Sequence, residues 1–269
     1  MLFINGAASI SPQIWTQWSD FNSNRAAKSE GPRLQVQKPA YKQFIKPMQV
    51  RRMSQTVKDS IVAAGLAMQQ AETKMPQAVI TGSGLGVVGD TEKFLGKMID
   101  NNEEFLTPTS FIQSTHNTPA AHIAARLGCN AYNLTYVNRG HSFENALQDA
   151  AMLIAEGKSN ILVGGSDEMT DQYFNIIRKD GSRKNHIPND ADFFNSTSPG
   201  AVCGEGTNFF VLADTKSSLS QSKLKGLHTF TKPENTKAVT AEIQAFLNRH
   251  SLKPEALDLV LEGYSGDRS

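Results

Sequence analysis

The chain has 269 residues, 39% of them hydrophobic, with 27 Lys and Arg against 26 Asp and Glu for a formal net charge of +1. That apolar content supports a packed core and argues against a wholly disordered chain, and the length allows one large domain or two small ones. No run of about 18 apolar residues is present to make a membrane-spanning helix. No basic stretch precedes the apolar start Met1–Ile4 as a secretory signal would require. The two cysteines, Cys129 and Cys203, form no CxxC pair and no disulfide framework. The expectation is a soluble, cytoplasmic protein.

In chain order, residues 2–10 read as a short strand running into Gly6. Residues 19–47 are polar, carry Pro32, Pro39 and Pro47, and read as an irregular loop or arm. Residues 1–52 hold eight Lys and Arg against two acids, so this stretch is +6 and the remainder −5. A basic arm suits an acidic partner or simply a solvated loop; its dispersed cations and the lack of any nucleic-acid motif argue against DNA or RNA. Residues 54–71 predict an amphipathic helix, with Ser54 as N-cap and Val57, Ile61, Ala64, Leu66 and Met68 on its apolar face. Ala78–Thr81 is a buried strand ending in a glycine cluster. Helices follow at 90–100 and at Thr118–Leu127, the latter with Pro119 in its first turn. Asn133–Val137 reads as a strand, and Ser142–Glu156 as an Ala-rich helix stopped by Gly157. Asn160–Val163 is a buried strand before Gly164 and Gly165. Phe209–Ala213 is another, with a further strand near Leu224–Thr229. A helix at 236–249 and a strand at Leu257–Leu261 close the series. Alternating helices and buried β-branched strands imply a layered α/β fold.

Gly84-Leu85-Gly86-Val87-Val88-Gly89 fits GxGxxG, after a strand and before a helix, where backbone N–H groups can meet a pyrophosphate. Against a nucleotide-binding Rossmann reading, another strand and helix precede this one, and no acid ends the next strand; Glu103 and Glu104 lie in a loop. Tight turns also use glycines for close packing alone. His116 and His122 miss the i, i+4 spacing of a helical metal pair, and the remaining histidines are scattered, so no metal is implied. Cys129 reads as a loop thiol and Cys203 as a small buried filler.

The order of segments is more specific. Arg51-Arg52-Met53 opens a helix ending in Ala63-Ala64. Thr81 to Gly86 follows a strand. Pro108-Thr109-Ser110-Phe111-Ile112-Gln113-Ser114-Thr115-His116-Asn117-Thr118-Pro119 precedes a helix with Ala124-Ala125 and Gly128. An Ala-rich helix to Ile154-Ala155-Glu156-Gly157 leads to Ile161–Val163 and Gly164-Gly165-Ser166-Asp167-Glu168. Gly204-Glu205-Gly206-Thr207 then enters Phe210-Val211-Leu212. From about 48 to 214 this succession resembles the N-terminal half of the β-ketoacyl synthases, the thiolase-fold condensing enzymes. The resemblance implies a thiolase-like layered fold, no cofactor and no metal. It also implies a cysteine nucleophile on a strained turn at a helix N-terminus, where the helix dipole favours thiolate and backbone N–H groups make an oxyanion hole. Counting back from Ile154–Gly157 places the nucleophile at Gly140, within Asn138-Arg139-Gly140-His141-Ser142, and no cysteine is near. The family's first catalytic histidine falls at Gly263. A glycine supplies no nucleophile, so the ordinary acyl-enzyme route is closed to it. Ser142, beside His141, is the one substitute nucleophile, although adjacent side chains at a helix start diverge; His141 reads rather as a lining or cap residue. Glu168 and Glu205 match acidic positions of the family and read as carboxylates that fix loops.

The resemblance therefore points to the degenerate, chain-length-factor type, of the aryl polyene or flexirubin kind. Such a subunit pairs with an active ketosynthase, or with itself, and shapes the pocket for the growing acyl chain without condensing. By the same resemblance, strand 133–137 pairs across the dimer axis, and Phe111, Gln113, Thr115 and His116 lie at the interface or tunnel. Arg51 and Arg52 are candidates for docking the acidic acyl carrier protein; the alternative is that they salt-bridge within the fold. The competing functions are an active β-ketoacyl synthase or acyltransferase with an atypical nucleophile, and the nucleotide-binding reading. On this alignment residues 1–214 make a complete N-terminal half, and residues 215–269 only begin the C-terminal half. Its unfinished sheet leaves open edges that call for a partner or for further chain.

Overall fold

The computed structural model describes residues 2–13, 32–51, 53–186, 196–263 and 265–267. Its strands are β1 (Leu2–Ile10), β2 (Arg33–Leu34), β3 (Ala78–Gly82), β4 (Tyr132–Tyr136), β5 (Ile161–Asp167), β6 (Cys203–Gly204), β7 (Gly206–Ala213) and β8 (Ser222–Leu224). The helices are α1 (Pro47–Val50), α2 (Gln55–Gln70), α3 (Val88–Asp100), α4 (Pro108–Gln113), α5 (Thr118–Leu127), α6 (Ser142–Ala155), α7 (Asp171–Ile177) and α8 (Thr236–Arg249).

Six strands form one mixed sheet in the order β4-β3-β5-β7-β1-β8. β3 runs parallel to both β4 and β5, while β5–β7, β7–β1 and β1–β8 are antiparallel. Side chains alternate across the sheet with period two. Val79, Leu162, Phe209 and Val211 enter one core with Val57, Ile61 and Ala64 of α2 and Ile123 of α5. Their neighbours Ala78, Ile80, Ile161, Val163 and Leu212 enter the other core with Ala146, Ala150 and Leu153 of α6. Continuous β-branched runs on β3 and β5 are what a strand covered on both faces requires. The result is a helix–sheet–helix sandwich, as the strand–helix alternation predicts.

Several local expectations need correction. Ser54 holds the N-cap backbone position of α2, but its side chain makes no capping hydrogen bond. Leu66 is exposed, unlike the other four residues expected on the α2 face. Over its described part, the stretch read as an irregular arm carries little regular structure. β2 pairs in parallel with β6, a short helical turn covers Tyr41–Gln43, and Ile45 is buried. Residues 19–31 lie outside the described residues. The strand expected near Leu224–Thr229 ends at Leu224. Leu257–Leu261 forms no strand, and Leu259, Val260 and Leu261 are exposed. A strand needs a neighbour to satisfy its backbone, and no described strand pairs with this segment. Cys129 lies in the loop between α5 and β4, as expected, and is buried there with its Sγ directed at the Pro76 carbonyl. Cys203 is a buried filler packed with Met169 and Phe174.

Candidate functional site

The glycine loop after β3 is built around two carboxylates. Asp167, at the end of β5, accepts hydrogen bonds from Ser83 Oγ at 2.7 Å, Leu85 N at 2.9 Å and Gly84 N at 3.2 Å. Gly86 N donates to Ser83 Oγ at 2.8 Å, and Gly89 N to Glu168 Oε1 at 2.8 Å. The N–H groups that a pyrophosphate would need are therefore engaged by side chains, and two acids stand where its negative charge would lie. This geometry removes the basis of the nucleotide-binding reading. The glycines serve close packing. A Cβ on Gly82 would strike the carbonyl of Ser142 at the start of α6. At Gly86, φ is +71° and a Cβ would lie 2.5 Å from His116 Cδ2. The loop thus brings the α6 N-terminus and His116 together.

The Asn138–Ser142 turn keeps a sharp bend. Arg139 holds φ at +49°, a left-handed conformation that costs a non-glycine residue energy. Gly140 is exposed, and a Cβ there would meet no atom within 4 Å. The position thus has room for a side chain and carries none. His141 occupies the N-cap position of α6 without a side-chain cap, so the capping role expected of it is absent. Ser142 fastens the bend. Its hydroxyl accepts from Asn138 N at 2.8 Å and faces the carbonyls of Arg139 and Ser83 at 2.7 and 3.0 Å. The group is 3% exposed and all three partners are backbone, so no base is positioned to activate it.

The segment before α5 folds as helix α4, which the sequence did not announce. Phe111 is exposed on one side and meets the Phe94 ring of α3 at 5.5 Å. Gln113 buries its Oε1 without a hydrogen-bond partner among the described residues. Thr115 Oγ1 bonds the Ile112 carbonyl at 3.0 Å and Thr118 Oγ1 at 3.0 Å, which fixes the path into α5. His116 is exposed against the glycine loop. Of these four, His116 is the one whose ring lies against Gly86 of that loop. Strand β4 lies on the sheet edge, with its first three residues exposed. Buried Asp149 of α6 accepts a hydrogen bond from Tyr132 Oη at 3.1 Å. Burial first and Asp149 second push the Tyr132 phenol up to about 12, and the same two causes raise Tyr136. Asp149 and Asp167 are the site-shaping residues that sequence reasoning missed. The one available signal for Asp167 was an acid at the end of a buried strand, directly before Glu168.

Glu168 and Glu205 act as loop anchors. Glu205 accepts from Met169 N at 3.2 Å and Val36 N at 3.3 Å. Burial holds the Glu168 carboxyl above the usual carboxylate range. Arg51 is exposed and makes no ion pair among the described residues; Arg52 lies outside them. Gly263 is exposed, and no hydrogen bond joins it to the Asn138–Ser142 turn among the described residues. No group of three or more His, Cys, Asp or Glu is placed to hold a metal ion among the described residues.

No curated protein matches the chain. Solved structures do. A ketosynthase (ApeO) in complex with its chain length factor (ApeC) from Xenorhabdus doucetiae matches with TM-score 0.59 and 16% identity, over 80% of this chain and 79% of that one. The near-equal shares mean that the two matched chains have nearly the same length. A β-ketoacyl synthase from Burkholderia phymatum matches with TM-score 0.63 and 18% identity, over 80% of this chain and 59% of that one. The ishigamide ketosynthase/chain length factor matches with TM-score 0.68 and 17% identity, over 94% and 74%. These likenesses show the thiolase-like ketosynthase fold. The model of the β-ketoacyl synthase N-terminal domain matches residues 15–251, most of the sequence. The chain therefore belongs to the β-ketoacyl synthase N-terminal domain family.

Proposed function

We propose that this protein is a non-catalytic, chain-length-factor-like subunit. On this reading it pairs with an active ketosynthase and shapes the acyl pocket in fatty acid or polyketide-type assembly of the aryl polyene kind. The observation that carries it is Gly140. The turn that presents the nucleophile in this family is bent and anchored here, yet its central residue has no side chain although there is space for one. The burial and backbone bonding of Ser142 support the same reading over an active enzyme with a displaced nucleophile. Edge strand β4 supports pairing. No strand among the described residues pairs with its outer edge, and an uncovered edge invites a second sheet. Exposed Phe111 and Ile112 would lie in the same contact and narrow the acyl tunnel. Residues 1–214 act as the ketosynthase-like half on this reading. Arg51, with Arg52, would steer an acidic acyl carrier protein, and the setting is cytoplasmic. No described helix is long and apolar enough to cross a membrane.

The test is co-expression with the ketosynthase encoded nearest to it. The expected result is a one-to-one complex that survives gel filtration, and a Leu134→Asp change on β4 should release it. A stable monomer that never co-purifies would sink the proposal.

A further inference from the structure

A concavity lies at the end of α6 remote from the turn. A cavity of about 650 Å³ opens between the flank of α6, the segment following β8 and the C-terminal end of α8. That size falls within the range of small-molecule sites. Its floor is apolar. Leu147, Ala151 and Ile154 follow one another at i, i+4 and i+7 on α6, and Leu2 and Leu224, paired across β1 and β8, complete it. The adjoining face of α6 packs on the sheet through Ala146, Ala150 and Leu153; Leu2 and Ile154 are buried in that same core, and Leu147, Ala151 and Leu224 pack against it from the cavity side.

The outer wall is fixed by specific contacts. Gly226 lies so close to the His250 ring that any Cβ would collide with it. His228 stacks on Phe246 at 6.0 Å and 10°, and its Nε2 meets Glu242 Oε2 at 2.8 Å. The rim is cationic. Lys225 and Arg249 are exposed lining residues without an ion-pair partner among the described residues. Arg249 lies over the Phe246 ring, 5.9 Å from its centre. The one acid on the lining, Asp214, accepts a hydrogen bond from Ser159 Oγ at 2.9 Å.

We propose that this cavity binds an amphiphilic carboxylate. The apolar body of the ligand lies along Leu147, Ala151 and Ile154, and its anionic head is taken by Lys225 and Arg249. An apolar floor supplies affinity, while two cations on one rim select the charged head. Neither a nucleophile nor a partner chain is needed, so the inference stands apart from the proposed function.

Titration calorimetry of the full chain with octanoate, and with octan-1-ol as the uncharged control, tests it. Octanoate should bind at one saturable site, more tightly than octanol. The Lys225→Glu, Arg249→Glu double variant changes only exposed side chains. It should weaken octanoate by about tenfold or more and leave octanol within about twofold. Ala151→Trp, which fills the floor, should weaken both ligands. Absence of saturable octanoate binding, equal affinity for octanol, or an octanoate affinity unmoved by the double charge reversal would each overturn the proposal.

Discussion

The loop Gly82–Gly89 and the turn Asn138–Ser142 touch one another, and each carries a motif associated with chemistry. In the first, backbone donors face Asp167 and Glu168, so an apparent phosphate cradle is a packing joint held by carboxylates. In the second, the bend and its anchor persist while the central residue is a glycine facing open space. One motif lacks vacant donors and the other lacks a reactive atom. The difference teaches that a glycine pattern is interpreted by what its N–H groups and absent side chains face.

This contrast can be broken by substitution. Asp167→Ala leaves Ser83 Oγ and two loop N–H groups without their acceptor and should cost about 3–5 kcal/mol in chemical denaturation. A loss below about 1 kcal/mol would show that the loop is held otherwise. Gly82→Ala forces a Cβ into the Ser142 carbonyl and should cost about 2–3 kcal/mol, measured the same way. Ser142→Ala removes the fastening of the turn and should cost about 1–2 kcal/mol, read as a lowered melting temperature. Gly140→Cys, in open space, should change stability by no more than about 0.5 kcal/mol while placing an alkylatable thiol at the turn. A large loss at Gly140 would contradict the reading of the turn as open.

A pH series sharpens the packing side. Burial holds the carboxyls of Asp59 and Glu168 above the usual range. Each therefore binds its proton more readily in the folded than in the unfolded state. Their contribution is fully present below the unfolded carboxylate pKa of about 4 and is lost as pH rises through the folded values. Asp59→Asn should flatten that decline in melting temperature between about pH 4 and 7. The amide retains partners in Tyr41 Oη, at 2.7 Å from Asp59 Oδ1, and Gln55. An unchanged slope would show that Asp59 has the same affinity for protons in both states.

Much of the sandwich was legible because its determinants are local. Ile161–Val163 and Ala78–Ile80 are continuous apolar runs bounded by glycine or polar turns, and α2 and α6 repeat apolar residues at helical spacing. What failed depended on distant partners. Leu257–Leu261 has strand composition, but pairing is decided by neighbours, and none is present among the described residues. β1 pairs with β7 across about 200 residues of chain, which no local pattern announces. Helix α4 is only six residues long and begins with proline, too short for periodicity to reveal. Within the turn, Gly140 is the proposed nucleophile position, reached by counting back along α6, which runs uninterrupted from Ser142 to Ala155. The Asp167 anchor joins residues more than 80 apart and needed the fold.

The central claim is that this chain shapes a ketosynthase pocket without carrying the acyl group. Intact-mass analysis of the co-purified pair after incubation with acyl- and malonyl-loaded carrier protein tests it most directly. The account predicts an acyl adduct on the partner ketosynthase alone, with this chain unmodified. An adduct on this chain, mapped to Ser142 or any other residue, would contradict it.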